Sequence, residues 1–353
     1  MVKTLAALLA ATTLAATALV ATSAVAQDGE CKTLNFYNWD TYIGPDTIKK
    51  FEEETGIKVT YDLYADSEEL FAKLKNGNPG YDLIVPSNDY TERMIASDML
   101  VELDHSKIPN IANIEERFMD VPFDPGRKYS LPYMWGTFGL GYRKSAVEEV
   151  PKTWAEVLQS DRYAGRFAAL SDGTSMMQLA LLVLGKDVND LSDENIAAAE
   201  QFWKDAKKNV VAFAPDNGQD LLQAGEADLV IEYNGDIAQV QEEDDDISYT
   251  VPAEGTLLWE DTLAIPAGAP CPSAAYKMID FILSADEGAA IAEEIAYATP
   301  NKAAKAKMSA DYLENPVIFP SEEALSKAQT PKAPSVEDAA KLDAAWTRVK
   351  AAN

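Results

Sequence analysis

The stretch YSLPYMWGTFGLGYRKSAV, residues 129–147, is rich in aromatic residues and glycines. We interpret it as extended chain that crosses from one lobe of the protein to another. A second stretch, GTLLWEDTLAIPAGAP at residues 255–270, has the same character and predicts a second crossing. These two stretches are the predicted connections between the lobes.

Strands and helices alternate on the amino-terminal side of the first crossing, over residues 33–87. The stretch TLNFYNW at residues 33–39 is typical of a buried strand, and DTIKKFEEETG at residues 46–56 has the acidic start and closing glycine of a helix. Strands separated by helices of this length predict a parallel sheet with helical crossovers. Ligands of such sheets bind beyond the carboxyl ends of the strands, and Asp40 and Ser87 fall at such ends.

The same alternation returns after the first crossing. The stretch RFAALSD at residues 166–172 is typical of a strand, and SMMQLALLVLG at residues 175–185 is typical of a helix. A later strand, in DLVIEYNGD at residues 228–236, carries Tyr233 and Asp236 at its end. No sequence repeat relates the two units, which resemble each other in pattern only.

Residues 1–26 have the features of a cleavable export signal. Lys3 is basic, residues 5–20 are mostly Ala, Leu, Val and Thr, and Ala24-Val25-Ala26 fits the small-residue rule for cleavage. The apolar run is short, and no stop-transfer charges follow it, which argues against a membrane anchor. A polar sequence precedes Cys31, which argues against a lipid anchor. We therefore expect a protein that is exported to the periplasm and is not inserted into a membrane.

The overall charge and the rarity of histidine exclude several kinds of function. The chain of 353 residues has a formal net charge of −28, which argues against nucleic acids and anionic membranes as partners. The one histidine, His105, is too few for a histidine-rich metal site or a Ser-His-Asp triad, and no phosphate-binding glycine loop is present. Nothing singles out a pair of carboxylates for glycoside hydrolysis. We expect no enzyme, no metal and no cofactor.

Aromatic and acidic residues recur together at strand ends and at the second crossing. They are Trp39 and Tyr42 with Asp40, Tyr233 with Asp236, and Trp259 with Asp261. Core packing is the simpler explanation of any one set, but three sets favour a binding site. Aromatic faces attract ammonium groups by about 0.5–2 kcal/mol each, and carboxylates hold them through hydrogen bonds of about 1.5–3 kcal/mol. This combination suits a linear alkyl diamine better than a sugar or an anion.

Seven motifs resemble the spermidine/putrescine-binding type of polyamine-binding protein from bacterial ABC importers. They are FYNWDTYI, FEEETGIKVTYD, YDLIVPS, YSLPYMWGTFGLGY, YNGD, LLWEDTLAIPA and YATPNKAA. The resemblance implies an α/β, type II periplasmic binding fold, with two lobes that close around the ligand and a mainly parallel sheet flanked by helices in each. It also implies a monomer that is no enzyme and that delivers a polyamine to a membrane permease with its ATPase.

The resemblance implies boundaries for the two lobes. Lobe 1 would comprise residues 27–135 and 262–305, and lobe 2 would comprise residues 142–258 and 311–353. The crossings between the lobes would lie at residues 136–141, 259–261 and 306–310.

The resemblance also implies which residues bind the ligand. Trp259 would pack on the methylenes while Asp261 holds an amine, and Asp236 matches an amine-binding aspartate of the putrescine-preferring members. The rings of Trp39, Tyr42 and Tyr297 would form walls of the site. The full set of candidates is Trp39, Asp40, Tyr42, Ser87, Asp89, Asp172, Tyr233, Asp236, Trp259, Asp261 and Tyr297.

One departure from the family pattern leaves the identity of the ligand open. Ser175 stands where relatives tend to carry a glutamate that holds the far amine, and Asp172 is the acid that remains in that segment. Asp40 or Asp89 could compensate from the other lobe. Putrescine and spermidine are the first candidates, with cadaverine, agmatine or a quaternary amine as alternatives. A ligand sensor that signals to a membrane partner would need the same site.

The two cysteines, Cys31 and Cys271, permit a disulfide, because an exported protein with an even number of cysteines can form one. The resemblance places both near the first lobe. A bond between them and two separate thiols remain equally open at this point.

Overall fold

One mixed sheet runs through the residues that the computed structural model describes, which are residues 31–215 and 217–352. The predicted leader at residues 1–26 lies outside them. Along the sheet the strand order is β2-β1-β3-β9-β4-β7-β5-β6, and β8 pairs with β4. The strands are β1 (Thr33–Trp39), β2 (Lys58–Tyr64), β3 (Leu83–Ile84), β4 (Ser130–Arg143), β5 (Phe167–Leu170), β6 (Val210–Ala214), β7 (Leu229–Tyr233), β8 (Ile247–Thr250) and β9 (Leu258–Ala264).

Helices connect the strands and follow the last of them. Among these described helices none is both long and apolar enough to cross a membrane. They are α1 (Thr47–Thr55), α2 (Ser67–Leu74), α3 (Asn88–Ala96), α4 (Trp154–Leu158), α5 (Gly173–Val183), α6 (Asp193–Ala206), α7 (Gly218–Ala224), α8 (Asn234–Glu243), α9 (Pro272–Ile282), α10 (Ala285–Ile295), α11 (Lys302–Lys305), α12 (Ala310–Leu313), α13 (Glu322–Leu325) and α14 (Val336–Ala351). Five short 3₁₀ helices complete the described elements: His105–Lys107, Pro109–Asn113, Glu116–Phe118, Asp161–Tyr163 and Lys207–Asn209.

Local sequence explains where the first helices begin and end. Helix α1 ends because Gly56 adopts a left-handed φ of 71°, which a glycine reaches without steric cost. The carboxylate of Asp66 caps α2 by accepting a hydrogen bond from the Glu69 N–H at 2.8 Å. The predicted order of strands and helices over residues 33–87 is confirmed.

Strand β4 belongs to both halves of the sheet. Residues Ser130–Thr137 pair with β9, whereas residues Phe138–Tyr142 pair with β7. The partner therefore changes between Thr137 and Phe138, and one continuous backbone passes from one half of the sheet to the other. The prediction of extended chain is confirmed over Ser130–Arg143, whereas residues 144–146 form a turn.

Parallel and antiparallel pairing occupy different parts of the sheet. On one side β1 pairs in parallel with β2 and β3, and on the other β5 pairs in parallel with β6 and β7. The central strands β9 and β4 are antiparallel to each other and to their outer neighbours β3 and β7. The parallel groups agree with the predicted α/β class, and the antiparallel centre arises where the chain crosses between them.

One buried core spans both parallel groups, since it contains Leu34 of β1 and Val230 of β7, and each group also borders a second core. The core beside β1 and β3 includes residues of α9 and α10, such as Ile279 and Ile291. The core beside β5 contains Trp154 and Trp203, which are fully buried, and Trp346 from α14 packs edge-on against Trp203 with 5.6 Å between ring centroids. The carboxyl-terminal helix is thus part of the second half of the fold.

The loop before β4 is organised by one buried carboxylate. Asp124 is 1% exposed and accepts backbone hydrogen bonds from Lys128, Tyr129 and Ser130 at 2.8–3.0 Å, together with one from the Ser130 hydroxyl at 2.9 Å. A carboxylate that accepts several N–H groups stabilises a loop because those donors would otherwise be buried without partners.

We predict that Asp124→Ala lowers the free energy of unfolding by about 3 kcal/mol, because it leaves several buried donors unsatisfied. Urea denaturation would measure this as a lower midpoint at an unchanged slope. The matched control is Asp245→Ala, which removes the same group from an exposed position. An equal, small effect of both substitutions would contradict the role assigned to Asp124.

Candidate functional site

Trp39, Asp40 and Tyr42 lie at the end of β1, where the chain turns away from the sheet. The turn places Thr41 at a left-handed φ of 47°, and the Asp40 carboxylate accepts a hydrogen bond from the Thr41 N–H at 2.9 Å. The Trp39 indole N–H donates to the Val85 carbonyl at 2.9 Å, which joins the ends of two neighbouring strands. Tyr42 is buried, whereas Asp40 is exposed.

Ser87 and Asp89 follow β3, which is the next strand in the sheet. The backbone of Ser87 forms a bridge to Asp261 in β9, and the Ser87 hydroxyl donates to the Asp89 carboxylate at 2.7 Å. Asp89 lies in the first turn of α3, where the helix dipole favours a negative charge. Ser87 therefore connects the positions of two acidic side chains, one through its backbone and one through its hydroxyl.

The junction between β7 and α8 is held by Asn234. This residue is fully buried, accepts a hydrogen bond from the Thr137 N–H at 2.9 Å and donates one to the Val317 carbonyl at 3.0 Å. These bonds hold the connection between β7 and α8. Tyr233 is the last residue of β7, and Asp236 lies in the first turn of α8.

Trp259 and Asp261 alternate with Glu260 along β9. Successive side chains of a strand point to opposite faces, so Trp259 and Asp261 share a face of the sheet. Gly136 of β4 lies opposite Trp259 in the register. A Cβ atom at Gly136 would lie 2.4 Å from the Trp259 ring, so the indole packs directly on the glycine backbone.

The aromatic side chains form a continuous series of contacts across the junction of the two sheet halves. All but the last are edge-to-face arrangements, one of the two geometries that aromatic pairs favour. The ring centroids are separated by 5.3 Å for Tyr133–Tyr42, 5.4 Å for Tyr42–Tyr297, 5.1 Å for Tyr297–Trp259, 5.8 Å for Trp259–Tyr233 and 4.7 Å for Tyr233–Phe138.

Two acidic side chains lie beside this series of rings. Burial raises the pKa of the Tyr42 phenol well above its usual range, and the charge of Asp261 and then that of Asp236 add to the effect. Asp261 likewise contributes to the raised pKa values of Tyr64 and Tyr133, after burial. Asp261 and Asp236, which come from β9 and α8, thus both act on the same phenol.

A second pair of acids lies near the first. Burial raises the pKa of Asp89, the Ser87 hydrogen bond opposes that rise, and the charge of Asp172 adds to it. Asp172 is exposed and caps α5, accepting hydrogen bonds from the Thr174 N–H at 3.0 Å and the Ser175 hydroxyl at 2.5 Å. Asp89 follows β3 and Asp172 follows β5, so the two carboxylates belong to opposite parallel groups of the sheet.

Comparison with known proteins identifies the family. Residues 46–320 match the family described as bacterial extracellular solute-binding protein. The chain belongs to this family. The predicted two-lobed periplasmic binding fold is confirmed, because a solved structure described as a spermidine/putrescine ABC transporter substrate-binding protein from Streptococcus pneumoniae superposes with a TM-score of 0.81. It is 29% identical, and the match covers 91% of this chain and 99% of that one.

Two relatives of this solute-binding protein are named for the amines they bind. The spermidine/putrescine-binding periplasmic protein of Salmonella typhimurium is 36% identical over 301 residues, which is 84% of this chain and 86% of that protein. The putrescine-binding periplasmic protein PotF of Escherichia coli is 32% identical over 340 residues, which is 91% of this chain and 92% of that protein.

The structure of the solute-binding protein divides the predicted site residues into two groups and one outlier. The central group contains the aromatic residues and acids around Asp261. The second group contains Ser87, Asp89 and Asp172. The side chain of Asp40 is exposed, and its charge acts on Tyr61 at the edge of the sheet. The central group consists of Trp39, Tyr42, Tyr233, Asp236, Trp259, Asp261 and Tyr297.

Both cysteines carry free thiols, so the disulfide between Cys31 and Cys271 is not formed in the structure. Burial raises the pKa of the Cys271 thiol to about 12, and the neighbouring Cys31 adds to the rise. Because the thiolate is the reactive form, a raised pKa lowers the fraction of Cys271 that is reactive. The Cys271 N–H donates to Asp82 at 2.6 Å, and this carboxylate also accepts from the Asn35 N–H, which ties the start of α9 to β1 without a covalent bond.

Sequence reasoning missed residues that hold the site together without carrying a charge. Asn234 lies in the motif YNGD and Gly136 in the motif YSLPYMWGTFGLGY. Nothing in these motifs distinguishes the two residues from ordinary turn residues. Tyr133 was also missed; it lies at an irregularity in the β4–β9 register between Pro132 and Met134. The proline, which cannot donate a ladder hydrogen bond, is the one local signal that could have indicated it.

We predict that Gly136→Ala lowers stability and changes the environment of Trp259, because the added methyl group would lie 2.2 Å from the Asn234 Oδ1 atom and 2.4 Å from the indole. Near-ultraviolet circular dichroism would report the changed environment. Gly56→Ala is the control. It introduces backbone strain of about 1 kcal/mol at a positive φ with no atom within 4 Å of the new Cβ. An unchanged aromatic signal in folded Gly136→Ala would contradict the close packing of this glycine.

Proposed function

We propose that this solute-binding protein captures a linear polyamine, of the putrescine or spermidine type, in the periplasm and delivers it to the permease of an ABC importer. The observation that supports this most strongly is the series of aromatic rings flanked by Asp261 and Asp236. The names of the relatives support the same ligand class. We propose a monomer that acts by binding and performs no catalysis.

The chemistry of the central group suits an ammonium group attached to methylenes. Ring faces attract the cation by about 0.5–2 kcal/mol each, and each methylene removed from water contributes about 0.8 kcal/mol. A carboxylate such as Asp261, which is only 7% exposed, gains most from a donor that neutralises its charge. A quaternary amine carries no N–H group and could not donate a hydrogen bond to such a carboxylate.

We propose that Asp89 and Asp172 form the subsite for the second amine. Their charges repel each other, so a cation between them relieves the repulsion as well as gaining two hydrogen bonds. Asp89 would thus take the place of the glutamate that Ser175 replaces. A molecule with two positive ends would bridge the two pairs of acids, whereas a monoamine would neutralise one pair only.

The two lobes are proposed to move about the strands that cross between them. The change of partner in β4 between Thr137 and Phe138 falls within the crossing assigned to residues 136–141. We assign the described parts of residues 27–135 and 262–305 to lobe 1, those of residues 142–258 and 311–353 to lobe 2, and the other crossings to residues 259–261 and 306–310. Closure would be favoured by a ligand that contacts both lobes, because its affinity for the closed form is higher.

We predict that isothermal calorimetry of the exported, ligand-free protein detects binding of putrescine or spermidine at about micromolar affinity, corresponding to about −8 kcal/mol. Cadaverine and agmatine test the tolerance for length and head group, and choline tests the quaternary amine. Heat with choline alone would favour the alternative ligand class. Absence of heat with every primary amine would refute the proposed function.

Replacing Asp261 by Asn tests the central group. We expect a loss of about 10- to 150-fold in polyamine affinity, because a charge-assisted hydrogen bond contributes about 1.5–3 kcal/mol. The control Asp245→Asn removes one negative charge at an exposed position and would change affinity little. Equal effects of the two substitutions would mean that Asp261 acts only through the general acidity of the protein.

Replacing Asp89 by Asn tests the second subsite. Putrescine affinity should fall by at least about tenfold, whereas butylamine affinity should change little, because a monoamine does not need the second pair of acids. Calorimetry with both ligands on both proteins gives the comparison. An equal loss for the two ligands would contradict the assignment of Asp89 to the second amine.

A further inference from the structure

Glu260 carries a buried charge directly behind the central group. It lies between Trp259 and Asp261 on β9 and therefore points to the opposite face of the sheet. Its carboxylate is 2.6 Å from a terminal nitrogen of Arg127. Glu260 is 7% exposed and Arg127 is completely buried, so this is an ion pair removed from water.

The loop before β4 holds Arg127 rigidly. Its backbone has a left-handed φ of 52°, its Nε–H donates to the Phe118 carbonyl at 2.5 Å, and its own carbonyl accepts from the His105 ring at 2.7 Å. The guanidinium also lies 5.1 Å from the centre of the Phe123 ring. Arg127 is thus fixed next to Glu260, whichever charge Glu260 carries.

The pair is close but its hydrogen bonding is incomplete. Among the described residues, the two terminal nitrogens of Arg127 and the Oε1 atom of Glu260 have no hydrogen-bond partner of good geometry, despite the 2.6 Å contact. A buried ion pair with unsatisfied atoms does not fully compensate the loss of hydration. The ionised form of Glu260 is therefore less favoured than that of an ordinary surface glutamate.

We propose that the Arg127–Glu260 pair acts as a positioning and charge-balancing element for the Asp261 site, so that a proton taken up by Glu260 weakens binding of a cationic ligand. When Glu260 is ionised, the pair has no net charge. When Glu260 is protonated, Arg127 contributes an unbalanced positive charge behind Asp261, and that charge repels an ammonium group. This inference rests on the proposed function, since it requires the ligand to be a cation.

Other charged groups also face the Arg127–Glu260 pair and contribute to the electrostatic potential there. Asp124 lies on the same loop as Arg127 and opposes ionisation of Glu260, and His105 contacts the Arg127 carbonyl. Arg117 lies 5.3 Å from the ring of Trp135, the residue opposite Glu260 in β4, and Asp261 is the next residue along β9. Arg127 is the direct partner of Glu260, so its charge is the one left unbalanced by protonation.

The direction of the pH effect follows from linkage. Burial raises the pKa of Glu260 to about 7, against the opposing effect of Arg127. A bound cation favours the ionised carboxylate and therefore lowers that pKa. Binding near neutral pH should then release protons, and affinity should fall as the pH falls through about 7.

The experiment measures polyamine affinity and proton release for the wild-type protein and for Glu260→Gln. For the wild type we expect an affinity loss of about three- to tenfold from pH 8 to pH 6, with proton release seen as a dependence of the binding heat on buffer ionisation enthalpy. Glu260→Gln mimics the protonated state, so its affinity should be low throughout and nearly independent of pH. Glu287→Gln is the control, because Glu287 is also buried and paired with a cation, Lys50 at 3.2 Å.

Each outcome decides one point. Absence of amine binding by the wild type at every pH refutes the proposed function itself. Amine binding with no proton release, or with the same pH dependence in wild type and Glu260→Gln, refutes the role of Glu260 alone. Absence of proton release by the wild type would refute the inference without any substitution, so the inference stays testable even if Glu260→Gln does not fold.

Discussion

The backbone ladder between β4 and β9 is the constraint on which the site depends. These antiparallel strands cross the centre of the sheet, and β4 continues beyond Thr137 to pair with β7. The ladder places Trp259 against Gly136 and leaves Asp261 opposite Ser87. Because every one of these contacts is set by backbone hydrogen bonds, a few interstrand pairs bring rings and acids from distant parts of the chain to one place.

The concentration of negative charge at the site is unfavourable by itself. Carboxylates in a region of low dielectric lose hydration and repel each other, so they resist ionisation. Burial raises the pKa of Asp89, and the charge of Asp172 adds to the rise. A cation removes both penalties at once. The arrangement is therefore suited to a positively charged ligand in a way that a purely aromatic pocket would not be, and the acidity of the chain as a whole adds a long-range attraction.

The features that depend on short stretches of sequence could be predicted, and those that depend on distant partners could not. Helix α1 ends at Gly56 and strand β1 spans TLNFYNW, because propensity and capping act within a few residues. The aromatic and acidic residues of the central group could be predicted because they recur beside each other, except Tyr297, which the family resemblance alone implied. The Ser87–Asp261 bridge and the Arg127–Glu260 pair join residues more than a hundred positions apart, and no local pattern identifies such partners. The cysteines show the same limit, since spacing alone could not distinguish two thiols from a disulfide.

The alternation of side chains along β9 places different groups on its two faces. Trp259 and Asp261 belong to the central group, whereas Glu260 faces a buried arginine. A strand that carried only Asp261 would present one negative charge with neutral residues behind it. The Arg127–Glu260 pair adds further charged groups beside this strand. Its net charge is zero when Glu260 is ionised and positive when Glu260 holds a proton. In the proposed mechanism, a change in the protonation of Glu260 alters the electrostatic potential on the opposite face of β9, where Asp261 lies.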